Sequence, residues 1–152
     1  SRDYLEALYW FRQSAASGHL PAMNQMGIHY LEGWGIQRDL DQAATWLQTA
    51  VEQRFIPAMV TLAKVQLARM KIKSHQRYVQ DYYRSAFQLL SHAAQAGDAA
   101  GQFWLGHLYS INRQNTASKD KARYWWSRAA AQGFTPAVTA LNNNGMKPMD
   151  HR

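Results

Sequence analysis

Apolar positions along this chain recur at helical spacing, and they recur in blocks. Each block opens on an alanine, at Ala7, Ala43, Ala86 and Ala122. A large residue stands three positions later at Trp10, Trp46, Leu89 and Trp125, and a small pair follows at Ser14/Ala15, Ala50/Val51, Ala93/Ala94 and Ala129/Ala130. Glycine closes three blocks at Gly18, Gly97 and Gly133, and Arg54 closes the other. Fifteen residues past each opening alanine a second helical face begins, at Ala22, Ala58, Gly101 and Ala137. It continues four residues on with Met26-Gly27, Leu62-Ala63, Leu105-Gly106 and Leu141-Asn142. The opening alanines lie 36, 43 and 36 residues apart. A period in the mid-thirties without strand-type alternation predicts helix pairs that bury their faces only by stacking on the next pair.

The expected fold class is therefore all-α, a right-handed α/α solenoid. It opens on a lone B helix over 3–17. Repeat one spans 21–54, repeat two 57–97 and repeat three 100–133, each an A helix followed by a B helix. The start of a further A helix covers 136–141, so the solenoid runs over 1–141 and a polar, turn-rich tail over 142–152 is expected to fray. Asp3-x-x-Glu6 and Asp39-x-x-Gln42 look like capping boxes, and Ser118 holds the equivalent place four before its alanine. Gly18, Gly97 and Gly133 stand where a helix should stop, while Pro21, Pro57 and Pro136 help start the next. Repeat two breaks the rhythm: Ala58 to Ala86 is 28 residues, against 21 for Ala22 to Ala43. The extra seven residues are about two helical turns. The segment Arg69–Arg77 has neither Gly nor Pro, so longer helices are expected there, with a basic loop as the alternative.

Six Trp, eight Tyr and five Phe in 152 residues supply a real core. No apolar stretch approaches the ~20 residues of a membrane-spanning helix. No secretory leader is visible at Ser1-Arg-Asp, and the opening in mid-repeat reads as a piece excised from a longer chain. With no cysteine, disulfides, thiolate metal sites and thiol catalysis are excluded. A formal charge of +7 favours an anionic partner or surface.

The register resembles the Sel-one-like repeat (SLR) family, tetratricopeptide-related repeats of about 36 residues. Repeat one carries the family pattern nearly throughout: Ala22, Met26-Gly27, Tyr30, Gly33-Trp-Gly35-Ile36, Asp39, Ala43, Trp46 and Ala50. Repeat three keeps Leu105-Gly106, Tyr109, Ala122, Trp125, Ala129-Ala130 and Gly133, without the loop glycines. Repeat two is the most divergent, with Gln66 in the tyrosine position. The resemblance implies a non-enzymatic adaptor that binds another protein, common in bacteria and often in the periplasm or cell envelope. Two other functions fit it: an immunity-type inhibitor of a secreted toxin enzyme, and a peptidoglycan-associated envelope factor. No cofactor is implied, and the family has no catalytic residues to carry over.

Nothing in the residues points to catalysis. There is no G-x-S-x-G, no Gly-rich phosphate loop, no H-E-x-x-H and no evident carboxylate pair. His29-x-x-Glu32 puts two ligand types on one helical face without a third, so a groove or surface histidine is the reading and no metal is expected. Trp10, Trp46 and Trp125 share one register and read as core, whereas Trp104 and Trp126 adjoin core positions and read as half exposed. Trp34, in a Gly-Trp-Gly turn, is the candidate exposed aromatic.

Two partner sites are expected. Positions flanking the first residue of the Leu-Gly pair should line a groove: Asn24, Ile28 and Leu31 in repeat one, Val60, Lys64 and Leu67 in repeat two, Phe103 and His107 in repeat three. The inserted segment adds Arg69, Lys71, Lys73 and Arg77 as a basic knob. The partner expected is another protein of acidic surface; nucleic acid is not, since no stacking platform or readable motif accompanies the charge. Open solenoid ends should also expose apolar faces through which copies could self-associate.

Overall fold

A computed structural model describes residues 2–112 and 116–150, and of Lys73 the backbone alone. The described residues form eight α-helices, one 3-10 helix and no strand. In chain order the α-helices are α1 (Arg2–Ala16), α2 (Leu20–Glu32), α3 (Leu40–Glu52), α4 (Ile56–Met70), α5 (Val79–Gln95), α6 (Ala99–Ile111), α7 (Thr116–Ala131) and α8 (Thr135–Asn143). The 3-10 helix Lys73–Tyr78 joins α4 to α5. In repeat terms α2, α4, α6 and α8 are A helices, and α1, α3, α5 and α7 are B helices. The chain divides into two compact bodies, Ser1–Leu89 and Leu90–Arg152, with the division falling inside α5.

In the first body the core gathers Leu8, Met23, Met26, Leu31, Leu47, Leu62 and Val65 around small residues Ala15, Ala22, Ala43, Ala50 and Ala58. The small residues let the helices approach closely. At Gly27 on α2 a Cβ would lie within 2.5–2.8 Å of the Leu47 side chain on α3, so only glycine allows this packing distance. Asp39 caps α3, its carboxylate accepting from the backbone N–H of Asp41 and Gln42 at 3.0 Å each. Gly33 ends α2 in the left-handed region at φ 75°. Arg54 ends α3 in the same region at φ 60°, where a Cβ costs about 1–2 kcal/mol.

The insertion goes mainly into longer helices. α4 and α5 run 15 and 17 residues, against 13 each for α2 and α3. The rest forms the 3-10 turn, so a structureless basic loop does not occur there.

In the second body Ala122, Trp126, Ala129, Ala137 and Leu141 form one buried cluster, with Phe103, Tyr109, Phe134 and Met146 packed on it. Gly106 on α6 plays the part of Gly27: a Cβ there would meet the Trp126 indole at 2.6–2.7 Å. The indole Nε1–H donates to Phe103 O at 3.1 Å. Fully buried Gln102 donates to Ala94 O and accepts from Gln132, which also donates to Gly97 O; the carbonyls at the end of α5 are thereby tied to α6 and α7. Asp98 caps α6 through Gly101 N at 2.7 Å.

Several expectations give way. Asp3 and Ser118 are not caps: Asp3 lies in the first turn of α1, and Ser118 is buried inside α7, which starts two residues earlier. The residues after Asn143, expected to fray, make specific contacts. Met146 packs on the Trp126 cluster, Arg123 Nε–H donates to Lys147 O at 2.6 Å, and Met149 N–H donates to Ser127 Oγ at 2.8 Å. The tryptophan register is also not the core. Trp10 is 63% exposed and Trp46 and Trp125 are half-buried, while the next residue faces inward in the other copies: Leu47, Leu90 and Trp126 are 0–2% exposed, and Phe11 after Trp10 is half-buried against the core. One residue is a 100° turn of the helix, enough to move a side chain from the edge of the buried stripe to its centre. Trp126, expected to be half exposed, is thus the core residue of its helix.

Candidate partner-binding surfaces

The expected groove residues separate by depth. In the first body Asn24, Leu31 and Val60 are 9%, 5% and 5% exposed, so they belong to the packed interior of α2 and α4. Ile28, Lys64 and Leu67 on the same two helices are half-buried. Asn24 is distinctive there: its carboxamide oxygen is buried and has no hydrogen-bond partner. In the second body Phe103 and His107 are both half-buried within a ring cluster. Phe103 meets Trp104 edge-on at 5.3 Å and Phe134 at 5.6 Å, and Trp104 meets His107 at 5.5 Å.

The basic insertion does not form a single patch. Arg69 turns inward: its guanidinium pairs with Asp41 at 2.6 Å, donates to Gln66 and lies 5.7 Å from the Tyr82 ring. Lys71 and Arg77 are exposed, with Arg77 4.6 Å over the Tyr78 ring. Lys73 contributes its backbone to the 3-10 helix, and its side chain lies outside the described residues.

Trp34 is 42% exposed, and one face stacks on Tyr4 of α1 at 5.7 Å and 21°. Gly35 explains the fit, since a Cβ there would come within 3.0–3.3 Å of Tyr4. The turn is thus fastened to α1 while part of the indole stays in water. His29 completes this arrangement: it is buried, donates its Nδ1–H to Trp34 O at 2.8 Å and packs edge-on to the Tyr4 and Trp34 rings. These contacts fasten the Gly-Trp-Gly turn to α2 and α1.

Two exposed aromatic faces lay outside the sequence expectations. On α1, Leu5, Tyr9 and Trp10 are each more than half exposed. On α7, Tyr124 and Trp125 flank Arg128 at the surface. Aligning the copies by their opening alanines would have exposed the second, because α3 has threonines at the two positions where α7 has Tyr124 and Arg128. No described helix is long and apolar enough to cross a membrane.

Comparison with known proteins gives a consistent picture. The chain is 38% identical over 63 residues to an uncharacterized protein of Neisseria meningitidis serogroup B; the match covers 41% of this chain and 14% of that protein. A Sel1 repeat protein from Oxalobacter formigenes has the same fold, with a TM-score of 0.71 at 25% identity, over 97% of this chain and 58% of that one. The chain thus spans less than two thirds of each. Residues 1–19, 20–55, 63–98 and 99–134 match the Sel1 repeat, in the register set by the four alanines. This chain belongs to the Sel1 repeat family, whose members generally mediate protein–protein interaction.

Proposed function

We propose that this chain is a non-catalytic adaptor that holds a partner protein along α2 and α4. The observation that carries the reading is the orphaned, buried carboxamide oxygen of Asn24, one turn before half-buried Ile28 on α2, with half-buried Lys64 and Leu67 on α4. A buried acceptor without a donor costs about 1–3 kcal/mol, and a partner that supplies a backbone N–H as it docks would recover it. Ile28 and Leu67 supply the apolar anchors, and Lys64 with exposed Lys71 and Arg77 favours an acidic partner surface. Phe103 and His107 serve the second body in the same manner.

A photo-crosslinking amino acid placed at Ile28 or Leu67 tests this in the native source organism. The expected result is one dominant adduct from both positions and none from Thr45 or Thr49 on the outer face of α3. Equal yields from all four positions, or none from Ile28 and Leu67, would overturn the assignment. The adduct's identity also decides between the narrower functions: a secreted toxin enzyme supports an immunity role, and a cell-wall enzyme supports an envelope role.

A further inference from the structure

The B helices share one register, so each serves as a control for the others. Two residues past the opening alanine stand Tyr9, Thr45, Gln88 and Tyr124, and six residues past it stand Gln13, Thr49, His92 and Arg128. On α3 both positions are exposed threonines, so the helix pair needs nothing larger there. α7 has Tyr124, 37% exposed, and exposed Arg128 instead, and it organises them. Arg128 Nη1–H donates to Tyr124 Oη at 3.0 Å, and the guanidinium lies 5.8 and 5.9 Å from the Tyr124 and Trp125 ring centroids. Those two rings meet edge to face at 5.1 Å. Two turns before Arg128 on the same side, Lys121 sits 5.3 Å over the Tyr109 ring.

Arg128 also borders an open hollow of about 410 Å³, lined further by Gly97, Gln102, Ala131 and Gln132. Its floor is fixed, because Gln132 is bonded to Gly97 O and Gln102 Oε1. Surface pairs of this kind add little to stability, about 0–1 kcal/mol, while holding long side chains still in water costs entropy. Folding therefore does not account for the arrangement.

We infer that the outer face of α7 is a second docking site, and that it takes an acidic segment of a partner protein. Charge decides the class of occupant: Lys119, Lys121 and Arg128 are exposed on this helix, against Asp120 as its one acid. Lys121 and Arg128 stand about 10 Å apart along the axis, a spacing two carboxylates of a short peptide can meet. A guanidinium held over rings keeps its planar donors aimed and is well matched to a carboxylate. Tyr124 and Trp125 offer apolar faces to a neighbouring side chain, and the hollow receives it. The site lies wholly in the second body and does not depend on the α2/α4 residues.

The test uses the 152-residue chain and a fluorescein-labelled hexapeptide of four glutamates around a Leu-Phe core, with binding read by anisotropy. Wild type should bind it, and should not bind the counterpart with lysines for glutamates. Giving α7 the threonines of α3, as Tyr124→Thr with Arg128→Thr, should weaken binding at least about tenfold, the loss expected for a charged hydrogen bond. If that double variant does not fold, Arg128→Gln alone gives the same reading, and Thr49→Ala on α3 should leave binding unchanged. Absence of binding, unchanged binding by the Arg128 variants, or trigalacturonate bound as tightly as the peptide would each overturn the proposal; the last would mark a site for an anionic polysaccharide.

Discussion

A methyl group at Gly106 tests the packing of the second body at its tightest point. The new Cβ would lie 2.6 Å from Trp126 Cδ1, 2.7 Å from Nε1 and 3.2 Å from Ala122 O. Carbon atoms pack at about 3.5–4.0 Å, so the helices or the indole must move by close to 1 Å. The indole is planar, 2% exposed and tied to Phe103 O, so it has no free rotamer to turn into. Overpacking of this kind costs about 1–3 kcal/mol. Breaking the indole hydrogen bond while it stays buried adds about 1–3 kcal/mol. Alanine's better helix propensity returns about 1 kcal/mol. The net expectation for Gly106→Ala is a loss of about 1–5 kcal/mol, measured by urea denaturation followed by circular dichroism. Gly27→Ala should cost less, since the group in the way is the branched end of Leu47, which can rotate. Trp126→Leu should restore part of the loss in Gly106→Ala, because it replaces the planar indole and its hydrogen bond to Phe103 O with a smaller side chain that can rotate. A Gly106→Ala protein as stable as wild type, or no coupling between positions 106 and 126, would show that close approach at the glycine does not set the packing.

Two further outcomes follow from single residues. Arg54→Gly should stabilise the chain by about 0.5–1 kcal/mol in thermal melts, the relief of left-handed strain at φ 60° less the greater freedom of glycine in the unfolded chain. Leu47→Ala should cost about 2–5 kcal/mol, whereas Trp10→Ala, at a position 63% exposed, should fall within about 1 kcal/mol of wild type. The opposite order would restore the tryptophans to the core.

The helix pairs were legible because their signal is redundant: an opening alanine marks all four copies, and stop glycines and start prolines each mark three of them. The tryptophan register lies one residue off the buried stripe, because a large apolar side chain at the edge of a stripe carries the same helical period as one at its centre. A better signal was available, since Leu47 stands twenty residues past Gly27 and Trp126 twenty past Gly106, and the close glycine marks its partner. The candidate sites were less legible, for reasons of distance along the chain. Arg69 counted as a free cation until Asp41, 28 residues away, proved to hold it. Composition alone made the tail look frayed, yet Met146 finds an apolar cluster and the backbone of Lys147 and Met149 finds partners.

Repetition also separates what the fold requires from what it leaves open. Where copies agree, at Ala43, Ala86 and Ala122 and at the paired glycines Gly27 and Gly106, the residues are buried and set the distance between helices. Where they disagree at one exposed register, the fold is indifferent: α1 shows Tyr9, α3 Thr45 and α7 Tyr124 with no change in helix type. Changes of the first kind should lower stability and leave recognition intact in the molecules that remain folded. Changes of the second kind should alter recognition at constant stability. Leu47→Ala and the α7 threonine exchange are one of each, so melting and peptide binding measured on both should move independently. If instead the α7 exchange lowered the melting temperature as much as Leu47→Ala does, Tyr124 and Arg128 would belong to the fold, and the argument from their divergence would fail.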